Sequence, residues 1–326
     1  MVNTDLTIVV CCNKKDFFLA RICIASIRYY YPDISIELIK DLGNGKFDSN
    51  ELEKRFTVKL VDLGVQKMGW SGAKFHYLYH ASKGKKVLLL DADIVFIGPF
   101  LERMENLYLR NDYVVSASYN HDPYSEWTKN TYFDTKKIEL AHPEYNYPGY
   151  FFNAGQIFVT VGTIEKQELN KYFDKDNYPF WKNKELFTMV DQSVLNYLLP
   201  TLHSVNKLKL ETDEFMIWGE SREANAISLN QVSEKSFYGG LIHWAGCLRI
   251  PFVRKMSRGD ILSFFEDYYY QKIPFGLLKK INFRTISFLD FYLRNFYRKS
   301  VKKILKKILN ICRGSMFSKN INGAYF

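Results

Sequence analysis

Residues 86–95 (Lys-Val-Leu-Leu-Leu-Asp-Ala-Asp-Ile-Val) combine a short aliphatic run with two carboxylates one residue apart. Such a run is typical of a buried strand covered on both faces, as in a parallel sheet. Because side chains alternate along an extended backbone, Asp91 and Asp93 point the same way where the strand leaves the sheet. Open α/β sheets bind ligands beyond the carboxyl ends of their strands. The segment therefore predicts an α/β fold. It also predicts that the two aspartates bind Mg²⁺ or Mn²⁺ together with the phosphates of a substrate. The alternative is a strand that simply ends in solvent, which has the same pattern.

Strand and helix patterns alternate from the N-terminus to this segment. Strands are predicted at 6–12, 35–40 and 58–62, and helices at 16–30 and 73–81, with a short polar helix after the turn at 43–45. Strands joined through helices by short links indicate a mostly parallel sheet. Further strands are predicted at 113–118, 155–160 and 241–244, and residues 119–150 are predicted to form a long, aromatic-rich loop over the site.

Composition excludes several other classes of protein. The chain has 326 residues, of which 47% are hydrophobic and 25% charged, as in an ordinary soluble globular protein. Its five cysteines are odd in number and show no paired spacing, so neither a disulfide framework nor a zinc site is indicated. The N-terminus lacks a signal-peptide pattern, and no segment approaches the ~20 apolar residues of a membrane span. We therefore expect a cytoplasmic protein.

The positive charge is concentrated in the C-terminal part of the chain. From Lys272 onward there are 13 Lys or Arg residues and one acidic residue, Asp290, whereas the net charge of the whole chain is +10. The body before Lys272 is therefore nearly neutral. We predict two regions, a nucleotide-binding α/β domain at 1–258 and a basic helical region at 259–326.

The apolar residues near the C-terminus recur at helical spacing. Lysines occupy the opposite face of this helix, and an aromatic face precedes it. A basic amphipathic helix of this kind is typical of the surface of an anionic membrane. No nucleic-acid-reading motif is present, and a helix docked on the body is the structural alternative. The apolar positions are Val301, Ile304, Leu305, Ile308, Leu309 and Cys312, preceded by Phe288, Leu289, Tyr292, Leu293, Phe296 and Tyr297.

Familiar nucleotide motifs are absent from the sequence. No G-x-G-x-x-G follows the first strand and no P-loop occurs, which argues against a dinucleotide enzyme or a P-loop NTPase. A phosphatase of the haloacid-dehalogenase type is an alternative, since its strand also ends in D-x-D. That family needs a later strand with a second acidic pair, and the late acids Asp260, Glu266 and Asp267 have no strand before them.

Four segments together resemble the family 8 retaining glycosyltransferases of GT-A fold. They are similar to the family's D-x-D, F-N-A/S-G, D-Q-D-x-I/L-N and H-Y/F-x-G-x-x-K motifs. A basic residue, Lys74, also stands where the family has one before D-x-D. The segments are Asp91-Ala92-Asp93, Phe152-Asn153-Ala154-Gly155, Asp191-Gln192-Ser193-Val194-Leu195-Asn196 and His243-Trp244-Ala245-Gly246-Cys247-Leu248-Arg249. Order and spacing agree over residues 5–252.

The resemblance implies a metal-dependent transfer of a hexose with retention. Asp91, Asp93 and His243 would hold Mn²⁺ or Mg²⁺, and Arg249 would bind the donor diphosphate bidentately. Donors of the family are commonly UDP-glucose or UDP-galactose. Here Asn13-Lys14-Lys15 stands where family members often carry an aspartate that reads uracil. The expected acceptor is a glycan or a lipid-linked saccharide in bacterial surface polysaccharide synthesis, at the inner face of the cell membrane.

The resemblance also implies the residues around the donor sugar. Asn153 and Asp191 would bind donor hydroxyls, with Gln192 near the anomeric carbon. Asp191 is chemically the better nucleophile, and a covalent intermediate and front-face attack both stay open. Asp191 and Gln192 are thus the candidate catalytic residues, and the other donor-binding positions are Lys74, Asp91, Cys12, Asn13, Ala92, Ala154 and Gly246.

Each position also has an interpretation without function. A lone histidine after an apolar strand, such as His243, is commonly a core residue, and Asp191 fits a helix N-cap. Asn153 fits a turn at a strand entry, and lysines such as Lys74 are usually surface charges. A third possibility for the whole chain is a module that binds a membrane or nucleic acid without turnover.

Overall fold

The structure, a computed structural model, describes residues 5–69, 71–247, 250 and 252–297. The predictions for Arg249 and for the helix face at 301–312 lie outside the described residues. The strands are β1 (Leu6–Asn13), β2 (Ser35–Asp41), β3 (Val58–Val61), β4 (Lys86–Asp91), β5 (Ile94–Phe96), β6 (Tyr113–Tyr119), β7 (Tyr150–Thr160), β8 (Leu210–Asp213), β9 (Met216–Trp218) and β10 (Leu241–His243).

Helices connect these strands, and two helices follow the last strand. They are α1 (Phe17–Tyr30), α2 (Asn50–Arg55), α3 (Gly72–His80), α4 (Leu101–Arg110), α5 (Glu126–Thr131), α6 (Thr135–Ala141), α7 (Lys166–Leu169), α8 (Asp191–Ser204), α9 (Arg222–Ala226), α10 (Leu229–Ser233), α11 (Gly259–Lys272) and α12 (Gly276–Phe296). The predicted elements up to residue 91 are confirmed to within one residue, but the strand predicted at 155–160 begins at Tyr150.

Seven strands form the main sheet in the order β3-β2-β1-β4-β7-β6-β8. Only β7 runs antiparallel to its neighbours β4 and β6, so the predicted mostly parallel sheet is confirmed. In the register of the sheet Asn13 lies beside Asp41, and Cys11 beside Asp91. The carboxyl ends of β1, β2 and β4 therefore present polar side chains along one edge.

A second, three-stranded sheet has the order β5-β10-β9. Strand β5 begins directly after Asp93 and pairs antiparallel with β10, which places Ile94 opposite His243. The backbone N–H of Trp244 also donates to the Asp93 carbonyl at 3.0 Å. The predicted strand at 241–244 thus exists, and it brings His243 next to the two aspartates although about 150 residues separate them in the chain.

Alternate residues of β1 and β4 pack into two different hydrophobic clusters, as expected of strands buried on both faces. Ile8 and Leu88 belong to the cluster that α1 and α11 cover, whereas Val9 and Leu89 belong to the cluster of α3 and α8. The sheet is therefore sandwiched between helices, and its polar edge lies between the two hydrophobic cores.

Helix α11 belongs to the core although its sequence opens the predicted C-terminal region. Ile261, Phe265 and Tyr269 are buried in the cluster that contains α1. The division of the chain at residue 258 stays a prediction, and α11 packs as part of the body. The composition changes near residue 272, whereas the core packing continues up to it.

Helix α12 is attached to the body by charged and aromatic side chains. Arg284 donates to the buried carboxylate of Glu266 at 2.6 Å, and the Arg21 guanidinium lies 4.6 Å from the ring centre of Phe283. None of the helices in the described ranges has the length and hydropathy that crossing a membrane requires. Large apolar side chains on α12 are nevertheless exposed: Leu277, Leu278, Ile281, Ile286, Phe288, Leu289, Tyr292, Leu293 and Phe296.

The packing of α11 predicts how much the protein is destabilised when one of its buried side chains is truncated. Phe265→Ala should lower the free energy of unfolding by about 3–5 kcal/mol, because it removes a fully buried ring and leaves a cavity. Phe264→Ala is the matched control. This neighbouring ring is only partly buried, so its removal should lower the free energy of unfolding much less. Urea denaturation followed by circular dichroism measures both. Equal, small losses would mean that α11 does not belong to the core.

Candidate active site

Three ionisable side chains meet where β4 ends. Asp91, Asp93 and His243 each offer a ligand atom, and these atoms lie within 4.8 Å of one another. The His243 Nε2 atom lies 3.2 Å from the Asp93 Oδ1 atom, and both side chains are almost fully buried. Asp91 is 39% exposed, so the group opens toward solvent on that side. Two carboxylates and an imidazole in this arrangement could hold a divalent cation.

The position of His243 depends on a glycine in β7. A Cβ atom added at Gly155 would lie 2.2 Å from His243 Cε1 and 2.7 Å from Asn153 Oδ1, which no side chain can tolerate. The Trp218 ring lies nearly parallel to the imidazole at 9°, with 6.1 Å between ring centres. The glycine of the Phe152–Gly155 segment therefore leaves the space that the histidine occupies.

Lys74 is buried on α3 and connects several elements of the site. Its ammonium lies 2.7 Å from Asp91 Oδ1 and 3.7 Å from Asp191 Oδ2, and it donates to the Ala154 carbonyl at 2.6 Å. Burial alone would lower the pKa of Lys74, but the two carboxylates outweigh burial and raise that pKa above its usual value. Lys74 is thus a charged residue of the site, and its interpretation as a surface charge is wrong.

Asp191 begins helix α8 and is almost fully buried. Its Oδ1 atom accepts from the Gln192 backbone N–H at 2.8 Å. Burial raises the pKa of Asp191 to about 6, while Lys74 opposes this shift and Asp91 adds to it. The helix is preceded by Val190 at φ 43°, a region that a β-branched residue rarely adopts and that costs about 1–3 kcal/mol. The start of α8 is therefore a strained backbone held in place by its surroundings.

The side-chain amide of Gln192 is fixed on both ends. Its Oε1 atom accepts from Asn153 Nδ2 at 2.9 Å and from the Ala154 backbone at 3.2 Å, and its Nε2 atom donates to the Thr131 carbonyl at 2.7 Å. Asn153 in turn accepts from the Gly155 backbone at 2.7 Å. These contacts join β7, α8 and the end of α5 around one amide group.

Two adjoining cavities surround these residues. The larger has a volume of about 720 Å³ and the smaller about 340 Å³, and Ser71, Lys74, Asp91 and Asp93 line both. Cys12, Asn13 and Ala92 line the larger cavity. Asn153, Ala154, Asp191, Gln192, His243 and Gly246 line the smaller one. Every predicted site residue that the structure describes thus borders one of the two cavities.

The larger cavity also contains polar residues that the sequence analysis did not assign to the site. Asp16 accepts from Asn13 Nδ2 at 2.6 Å, and Asp41 Oδ1 accepts from the backbone of Gly43 at 2.9 Å and Met68 at 3.0 Å. Lys67 and Tyr178 complete this side of the cavity. Asp41 was detectable, because it directly follows the strand predicted at 35–40 and ends the observed strand, as Asp91 ends β4.

Solved structures of glycosyltransferases share this fold. The apo structure of the bifunctional glycosyltransferase WbbM superposes with a TM-score of 0.51 at 11% identity, over 87% of this chain and 52% of WbbM. An active-site mutant of LgtC superposes with a TM-score of 0.50 at 16% identity, over 84% of this chain and 99% of LgtC. This chain therefore spans about half of the WbbM structure. No protein-family model and no curated protein sequence matches the chain.

These similarities establish the fold. The chain has the α/β fold of solved glycosyltransferases, as its resemblance to GT-A enzymes of family 8 implies.

The contact between Gly155 and His243 predicts a test of the site's geometry. Gly155→Ala should displace the imidazole and lower the free energy of unfolding by about 1–3 kcal/mol, as overpacking does. Gly72→Ala is the control, because a Cβ atom there meets only ordinary contacts at 3.8 Å or more. Thermal denaturation of both variants measures the difference. A Gly155→Ala protein as stable as the control would contradict the arrangement.

Proposed function

We propose that the chain is a metal-dependent glycosyltransferase that moves a hexose from a nucleotide sugar to a saccharide acceptor. The grouping of Asp91, Asp93 and His243 between two cavities carries this proposal. The cavities suit two substrates that must meet at the metal. The glycosyltransferase fold is the second support.

The donor nucleotide is assigned to the larger cavity. A divalent cation, Mn²⁺ or Mg²⁺, would be held by Asp91, Asp93 and His243 and would supply positive charge to the departing diphosphate. Lys74 adds a buried cation beside this group, and Arg249, outside the described residues, is the proposed further contact to the diphosphate. Asp16, next to Asn13, offers the carboxylate that reading of uracil requires, so we propose UDP-glucose or UDP-galactose as donor.

The transferred sugar is assigned to the smaller cavity. Asn153 and Asp191 bind its hydroxyl groups, and Gln192 lies beside its anomeric carbon with an amide that is already oriented. In the overall reaction the acceptor hydroxyl oxygen bonds to this carbon, and the bond from this carbon to the diphosphate oxygen breaks. The hydroxyl proton leaves with the nucleoside diphosphate. The proposed outcome is retention, and the geometry is compatible with both front-face attack and an intermediate on Asp191.

The phosphatase alternative has less support. The second acidic pair that this family needs after a later strand would have to come from Asp260, Glu266 or Asp267. All three lie on helix α11 rather than after a strand, and Glu266 is paired with Arg284. The acids that line a cavity together with Asp91 are Asp16, Asp41, Asp93 and Asp191, and none of them ends a strand later than β4.

The metal proposal predicts what happens when a ligand is changed. Asp93→Asn should weaken Mn²⁺ binding, measured by calorimetry, and lower kcat for UDP-sugar turnover at least ~10³-fold, comparable to the loss of a main electrostatic stabiliser. A chelator should abolish turnover, and Mn²⁺ should restore it. Asp33→Asn is the control, because this carboxylate is exposed. Full turnover in the presence of chelator would contradict the metal role.

We also propose that the protein works at the cytoplasmic surface of an anionic membrane, on a lipid-linked acceptor of bacterial surface polysaccharide synthesis. Exposed apolar side chains along α12 support this, because such a face would otherwise be in water. The excess of lysine and arginine from Lys272 onward favours anionic lipids, at ~1 kcal/mol per charge near the surface.

Two exposed leucines of α12 test the membrane proposal without altering charge. Changing Leu289 and Leu293 together to serine should reduce binding to phosphatidylserine-containing vesicles in a sedimentation assay, since less apolar surface is inserted. Leu140→Ser is the control, because Leu140 is 85% exposed on α6. Binding by the unaltered chain should fall as salt is added. No binding of the unaltered chain at low salt would contradict the proposal.

A further inference from the structure

The smaller cavity is lined by side chains that suit a sugar ring. Trp218 is half-buried there beside His243 and presents a flat apolar surface close to the proposed metal ligands. Asn130 and Thr131 of α5 line the same cavity. Sugar-binding sites typically combine an aromatic face, which packs against the ring, with nearby hydrogen-bonding groups.

Helix α5, whose last two residues line the smaller cavity, also carries an indole, Trp127, that lines neither cavity. Trp127 lies three and four residues before Asn130 and Thr131, on the same side of the helix and about 5 Å along it. This distance is about the length of one hexose unit. Trp127 is 48% exposed although two neighbouring rings contact it.

Neighbouring rings hold the exposed indole in one orientation. The His121 ring stacks on Trp127 with 4.5 Å between centres and 25° between planes, and Tyr132 meets its edge at 5.8 Å. The His121 imidazole is anchored in turn by Ser118, with 2.7 Å from Oγ to Nε2. A fixed aromatic ring loses little conformational entropy when a ligand packs against it.

The same helix is attached to the reacting centre. The Thr131 carbonyl at the end of α5 accepts the hydrogen bond from Gln192 Nε2. Trp127 and Gln192 are therefore held at a set separation, so a ligand on the indole would be positioned relative to the anomeric carbon.

From this arrangement we infer that the acceptor is a saccharide of at least two units. The unit that receives the hexose packs against Trp218, and the next unit packs against Trp127, with Asn130 as a polar contact between them. This inference rests on the proposed glycosyltransferase function. It adds the class of the acceptor, and it assigns Trp218 and Trp127 as the residues that select the length of the acceptor.

The experiment compares disaccharides with monosaccharides. With UDP-galactose or UDP-glucose as donor, released UDP gives KM for lactose, cellobiose and maltose and for free galactose and glucose. We expect at least one disaccharide to have a KM about tenfold below that of its monosaccharides, the size of one aromatic contact. Trp127→Ala should abolish this difference, whereas Trp127→Phe should keep most of it. Trp218→Phe should raise KM for both acceptor lengths.

Tyr238→Ala is the matched control, because this ring is 72% exposed and belongs to the loop before β10 rather than to α5. Binding of the same disaccharides without donor is measured by saturation-transfer NMR, and melting temperatures verify folding. Disaccharide binding that is equal in the unaltered protein and Trp127→Ala, or absent from both, overturns the inference even if UDP-sugars turn over. Binding that depends on Trp127 without any UDP-sugar turnover overturns the glycosyltransferase proposal and leaves the saccharide site standing.

Discussion

The ion pair between Lys74 and Asp91 is the interaction on which the site depends. A buried ammonium is stable only with opposing charge and hydrogen-bond acceptors around it, and here the Asp91 and Asp191 carboxylates and the Ala154 carbonyl supply them. These groups come from β4, α8 and β7, so one cation fixes the relative positions of three elements. Without it, the partly exposed Asp91 carboxylate and the buried Asp191 carboxylate would lose the cation that they share. The same contacts therefore stabilise the fold and position Lys74 and Asp91, which line both cavities.

Local patterns in the sequence were sufficient to predict the first half of the main sheet. Aliphatic runs identified β1, β2 and β4. Asp91 and Asp93 do lie together as predicted, but Asp93 stands in the turn after β4 rather than on an extended strand. The direction of β7 was not predictable in this way, because a fully buried strand has the same apolar pattern in either orientation. The start of α11 was likewise assigned to a separate region from charge composition, whereas its burial depends on its contacts with α1.

The candidate site likewise contains residues that the sequence alone could not assign to it. His243 and Gln192 could be associated with Asp91 only through the family resemblance, since pairing between β5 and β10 joins segments about 150 residues apart. Trp218 and Asp16 were missed because nothing in their immediate neighbourhood marks them, and only the folded chain places them at a cavity. The fixed amide of Gln192 is also a tertiary property, because its partners Asn153 and Thr131 come from distant segments.

The two sheets meet at the proposed metal ligands, and this has a mechanical consequence. Asp91 closes a strand of the large sheet, His243 closes a strand of the small one, and Asp93 lies in the short link between them. An ion bound by all three would act as a cross-link between the sheets. Its binding free energy would then add to the stability of the whole body, so occupancy and thermal resistance would rise together with the concentration of free metal.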